Sequence, residues 1–163
     1  MNAQLGASAT AARAHEELFA YWASLRRCGQ LPGRADIHPK DFKRLLPTVS
    51  LIDVIGGERR DYRLRLAGTG LFSVYGREIT GRSLGDVYGR RAADYWQDEL
   101  DRVVDERRPG VGCHSLAWRG TAHMSLMWMR LPLANDGRNV DMILGYDAIV
   151  GLQVEPSSGI RAA

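Results

Sequence analysis

The residues able to do chemistry are few, and no spacing assembles them. Cys28 and Cys113 stand far apart and outside any Cys-x-x-Cys pair. His114 and His123 fall on adjoining strand-like segments beside Cys113. A metal site needs three or four ligands at fixed spacings. No third ligand follows these two histidines, so they read as an edge pair with no metal. Ser73, Ser83 and Ser115 lie outside any Gly-x-Ser-x-Gly elbow, and no motif places a His or acid beside them. Gly68-Thr69-Gly70 follows a strand-like run, yet no Gly-Lys-Ser/Thr comes after it. Ser73 occupies the place of the third glycine in a dinucleotide fingerprint. Those glycines read as a tight turn. Asp94, Asp98, Glu99, Asp101, Asp105 and Glu106 alternate with arginines, the pattern of a solvated helix face. The expectation is a protein without catalytic residues, and not an enzyme.

The elements that would have to position any site follow from apolar periodicity. The 163 residues suit one domain, with 45% hydrophobic and 25% charged residues. The net charge of +3 is too mild to imply nucleic acid. Residues 1–12 read as disordered, 13–150 as the folded domain and 151–163 as a flexible tail. A first helix is expected from Thr10 to Cys28, with Leu18, Trp22 and Leu25 on one stripe and Gly29 stopping it. A short helix follows from Pro39 to Leu46. Thr48–Ile55 and Arg60–Ala67 read as a hairpin, with Tyr62, Leu64 and Leu66 on one face and Asp61, Arg63 and Arg65 on the other. Glycine-rich short helices span 68–86, and a longer helix spans Arg90–Arg108. Three strands close the pattern: Val111–Trp118, Ala122–Leu133 and Val140–Val150. Arg119-Gly120-Thr121 turns the first pair and Asn135-Asp136-Gly137 the second. Strands grouped at both ends imply an α+β fold, an antiparallel sheet with helices on one face. No leader sequence and no membrane-length apolar run is evident, so the cytoplasm is the default compartment.

Several stretches then fall into a familiar order. They are Tyr21-Trp22-x-x-Leu25-Arg26, Pro32-x-Arg34-x-Asp36-Ile37-x-Pro39, Leu45-Leu46-Pro47 and Asp53-Val54. Next come Tyr62-Arg63-Leu64-Arg65-Leu66-Ala67-Gly68-Thr69 and Gly76-Arg77-Glu78-Ile79-Thr80-Gly81. In this order the chain resembles a bacterial family of short, often stand-alone PAS-type proteins. The likeness spans Leu18 to Val150 as an architecture, with its specific motifs in the first half. It implies a PAS-like five-stranded antiparallel sheet cupping a small pocket, and sensing or docking with no catalytic residues to carry over.

On that architecture Tyr62, Leu64, Phe72, Tyr75, Leu84, Tyr95, Trp96, Met124, Leu126 and Trp128 are expected to face the cup, either as a ligand pocket or simply as core. A haem-binding PAS domain takes an axial ligand, commonly His, from the helix before the third strand, and Arg90–Arg108 contains none. A flavin-adduct domain needs a reactive Cys after the second strand, and none lies between Gly68 and Gly85. No cofactor is therefore expected, although an unidentified small ligand fits the cup. Met127 and Met129 fall on the opposite face of their strand from Met124, Leu126 and Trp128, so both faces need cover. The stripe Leu18, Trp22 and Leu25 is the available cover, packing on the sheet of its own chain or across a homodimer. The leading expectation is a regulatory module with no output domain of its own in this sequence. It would act in trans on a second copy or on signalling proteins such as histidine kinases. A carrier with a permanently occupied cup, a cone-fold enzyme, and a nucleic-acid binder using Arg59, Arg60, Arg63 and Arg65 are the alternatives.

Overall fold

The computed structural model of the chain describes residues 2–116 and 124–151. Helix α1 (Asn2–Ser24) leads into two 3-10 segments, Arg34–Asp36 and Pro39–Thr48. Strands β1 (Val49–Ile55) and β2 (Asp61–Ala67), helices α2 (Leu71–Tyr75) and α3 (Leu84–Glu106), and strands β3 (Gly110–Ser115), β4 (Met124–Leu133) and β5 (Met142–Gly151) follow. The strands form one antiparallel sheet in the order β2-β1-β5-β4-β3. The expected Arg119-Gly120-Thr121 turn, His123 and the tail beyond Gly151 lie outside the described residues.

Helix α1 begins at Asn2 rather than Thr10 and ends at Ser24 rather than Cys28. Cys28 and Gly29 take left-handed φ angles of 50° and 78°, so the chain has already left helical geometry before the glycine. In α3, Gly89 with φ 69° separates a first turn from the longer run that starts at Arg90. Ser83 caps the first turn, its Oγ accepting from the Asp86 amide. Among the described residues no helix is long and apolar enough to cross a membrane.

The central strands β4 and β5 are covered on both faces of the sheet, which is why they are apolar on both. On the inner face, α2 and α3 pack Val74, Trp96, Leu100 and Val103 against Ile52, Leu126, Trp128 and Ile143. On the outer face, α1 and the second 3-10 segment pack Leu18, Trp22 and Phe42 against Val49, Met129, Leu131 and Leu144.

One alternation fails. Leu51 stands opposite Leu66, yet the next residue, Ile52, stands opposite Leu64. Arg65 is the extra residue of a bulge, and a one-residue slip sends the side chains beyond it to the other face. Leu66 consequently parts from Tyr62 and Leu64, turns outward and is 48% exposed.

Candidate functional site

The cup is the space between the inner sheet face and helices α2 and α3. Tyr62, Leu64, Tyr75, Leu84, Trp96, Leu126 and Trp128 are buried there, and Tyr95 and Met124 are half-buried against them. Phe72 does not join them. In the five-residue α2, Leu71, Val74 and Tyr75 take the inward side, which leaves Phe72 58% exposed.

Aromatic rings fill the cup in a connected stack. Tyr88 lies on Trp96 with ring centroids 4.8 Å apart, and Trp96 meets Trp128 at 5.3 Å and Tyr95 also at 5.3 Å. Tyr95 in turn stacks on His114 at 4.7 Å. Trp128 lies flat over Gly112 of the neighbouring strand, where an added Cβ would fall 2.5 Å from the indole. Glycine at that position is a requirement of the ring above it.

Inside this apolar shell sits an ion pair that motif reasoning missed. Arg130 and Asp147 are 1% and 2% exposed, and Arg130 Nη2 donates to Asp147 Oδ1 at 2.9 Å. Arg130 Nη1 also donates to the carbonyls of Met129 at 2.9 Å and Tyr146 at 3.3 Å. The guanidinium lies 4.9 Å from the Trp96 ring centroid and 5.8 Å from that of Trp128, within cation–π range. The Tyr75 hydroxyl donates to Asp147 Oδ2 at 3.3 Å and shares a hydrogen bond with the Tyr88 hydroxyl at 3.1 Å. Gly145 makes room for this group: a Cβ there would stand 2.4 Å from Ser50 Oγ and 3.2 Å from Arg130 Nη1. Among the described residues, Arg130 Nε and Trp128 Nε1 are buried without a hydrogen-bond partner. The signal for the pair was strand parity. Arg130 shares the inward face of β4 with Leu126 and Trp128, and Asp147 shares that of β5 with Ile143.

Burial governs the titration of these groups. It lifts the Tyr75 hydroxyl well above its ordinary range and pushes Tyr88 up to about 12, so both are neutral donors at physiological pH. Burial opposes the charge on Arg130, but the Asp147 carboxylate and the Tyr88 and Tyr75 hydroxyls together outweigh it and hold the guanidinium above its usual value.

Strand β5 links the cup to the outer face. Asp147 points inward, while its neighbour Tyr146 points outward and meets the His15 ring of α1 edge-on at 5.1 Å. The His15 pKa is lowered by burial, raised by Asp147 and lowered by Arg130. The cup charges are therefore felt at α1. Of the residues expected at a dimer interface, Leu18, Trp22 and Met129 are buried within one chain, and Leu25 and Met127 are half-buried. Trp22 Nε1 donates to the Pro132 carbonyl at 2.9 Å.

The remaining candidates have local partners. Arg60 pairs with Asp101 at 3.0 Å and Asp105 at 2.8 Å, and Arg65 pairs with Asp53 at 2.7 Å. Half of the arginine set Arg59, Arg60, Arg63 and Arg65 is thus neutralised within the chain. Ser73 Oγ donates to the Gly70 carbonyl and Ser83 Oγ to Asp86, both turn and cap contacts. Cys28 and Cys113 are exposed free thiols. Among the described residues no three His, Cys, Asp or Glu side chains gather as a metal site.

Five antiparallel strands, with helices between the second and third closing a cup over the inner face, define a PAS-type domain. A family model described as "PAS domain" matches residues 10–147, and the chain belongs to the PAS domain family, whose members are sensory or regulatory modules. Among solved structures, it is similar to the PAS domain of a Colwellia psychrerythraea protein at 12% identity, over 69% of this chain and 96% of that one, with a TM-score of 0.50. It is also similar to a LOV protein of Rhodobacter sphaeroides at 12% identity, over 76% of this chain and 71% of that one, with a TM-score of 0.46. No curated protein matches the sequence.

Proposed function

We propose that this chain is a non-catalytic regulatory PAS module that acts in trans through protein contacts, with the buried polar network of the cup as its responsive element. One observation carries the reading. Asp147 and Tyr146 are adjacent on β5, one bound to Arg130 in the cup and the other packed against His15 of α1. A ligand in the cup that accepts hydrogen bonds from Arg130 Nε and Trp128 Nε1 would compete with the present arrangement of the pair. The response needs only a difference in ligand affinity between two packings of β5 and α1.

The contacts are proposed to be made by α1, with a second copy or with signalling proteins such as histidine kinases, in the cytoplasm. Leu18 and Trp22 already cover the sheet of their own chain, so exchange through them would require α1 to leave it. Phe19, 45% exposed beside Trp22, offers an apolar side chain without that cost.

The test is to replace the ion pair by apolar residues of similar volume, as Arg130→Met with Asp147→Leu. Such swaps of buried ion pairs are often neutral or stabilising, so the variant is expected to fold. Amide and indole NMR shifts should then change at His15, Leu18 and Trp22. Shift changes that stop at β5, with α1 unmoved, would refute the coupling.

A further inference from the structure

A recess lies on the opposite side of the sheet from the cup. It has a volume of about 470 Å³ and runs between the 3-10 segment Pro39–Thr48 and the outer face of β1 and β2. Phe42, Val49, Leu51 and Leu144 form its apolar floor, all of them buried. Its wall on the β2 side is Leu66, the residue that the bulge turned out of the cup. Arg34 and Lys43 are the two charged residues of the lining, and no Asp or Glu belongs to it. Among the described residues neither cation is in a salt bridge, whereas Arg44, next to Lys43, is paired with Glu17. Arg34 Nη1 is tied to the Ile37 carbonyl at 3.1 Å, which holds the guanidinium in place without neutralising it.

The geometry points to a binding site for a free amphiphilic anion, an apolar chain of roughly ten to twelve carbons ending in a carboxylate. The volume is in the range of small-ligand sites, and the composition is that of such sites, an apolar bed with few polar groups. Buried apolar floor plus an outward-turned Leu66 favours hydrocarbon over a polar molecule. Two cations without a counter-charge favour a negative head over a neutral or positive one. The site is independent of the cup: its lining shares no residue with the Arg130–Asp147 network, and it stands whether or not that network responds to a ligand.

Isothermal titration of the full chain with dodecanoate, below its micelle concentration, tests the assignment. The expected result is saturable binding of one molecule per chain, and binding of dodecanol about tenfold or more weaker, the factor that corresponds to one lost charge-assisted contact. Lys43→Glu, an exposed change, should weaken dodecanoate by a similar factor and leave dodecanol unchanged. Leu66→Asp should weaken both. Circular dichroism confirms that each variant is folded. Absence of saturable binding, or equal affinity for dodecanoate and dodecanol, would overturn the proposal. So would dodecanoate binding that survives both variants but is lost in Arg130→Met with Asp147→Leu, because that places the ligand in the cup. Co-sedimentation with phosphatidylglycerol vesicles in place of dodecanoate binding would overturn it in favour of a membrane surface.

Discussion

The two faces of this sheet are built from the same strands and by different means. The outer face under α1 is held largely by apolar burial, to which the Trp22 indole adds a hydrogen bond to the Pro132 carbonyl. The inner face encloses a full ion pair, two tyrosine hydroxyls and, among the described residues, two donors without a partner. An apolar face tolerates substitution in proportion to the volume removed, and its side chains re-pack. A buried polar network fails abruptly when one member goes, because the others are left charged or unpaired in a medium that cannot solvate them. The inner face is therefore the one sensitive to loss of a single group, and the outer face the more tolerant one.

The sharpest test of that contrast is Asp147→Ala, which leaves Arg130 charged and buried. The expected cost is about 3–5 kcal/mol in urea unfolding. The paired apolar swap Arg130→Met with Asp147→Leu should restore most of it. If the single and double variants were equally destabilised, the network would be ordinary packing and the contrast would disappear. Next in size is Gly112→Ala. Its new methyl would collide with the Trp128 indole, and overpacking of this kind costs roughly 1–3 kcal/mol. Since Trp128 touches Trp96, quenching of the tryptophan fluorescence should change in the same variant. The outer face supplies the counterpart. Trp22→Phe keeps a large ring on the sheet and loses the bond to Pro132, so about 1–2 kcal/mol is expected. An increase in self-association by sedimentation would show that α1 had detached, whereas an unchanged state fits a locally repacked face.

Legibility in the sequence followed the same division. The outer stripe Leu18 and Trp22 could be read at helical spacing, and the two-faced apolarity of Met124–Leu133 announced that something must cover it. What periodicity could not decide was whose sheet the helix covers, since both answers bury the same atoms. Within the cup, Tyr62, Leu64, Leu126 and Trp128 followed from strand alternation, and Trp96 from helix periodicity. Phe72 failed because a helix as short as α2 has too few turns for its inward side to be inferred. Leu66 failed because a bulge adds one backbone residue and needs no particular side chain. Arg130 and Asp147 are 17 residues apart on neighbouring strands, and their pairing depends on a register that no local pattern encodes. Their parity with core residues was visible, but a charge at such a position acquires meaning only when its partner is in place.

The smallest expected effect is in pH, and it reports on the seam between the faces. Burial lowers the pKa of His15 from its ordinary 6.5, so the folded chain prefers the neutral ring. Among the described residues its Nε2 is buried without a partner, which makes a second proton there unfavourable. The unfolded state then binds more protons than the folded state as pH falls through 6.5, and stability must rise with pH across that window. His114 is shifted the same way by burial and contributes in parallel. The separating experiment compares the thermal midpoint between pH 5 and 8 for the parent chain, His15→Gln and His114→Gln. Each variant should lose part of the slope. The paired cup swap Arg130→Met with Asp147→Leu, which removes both charges acting on His15, should alter the His15 share and leave that of His114. Because Asp147 and Arg130 act on His15 with opposite signs, a His15 titration followed by NMR that did not move in this double variant or in Asp147→Asn alone would mean that the cup charges do not reach α1, and the two faces would have to be treated as independent.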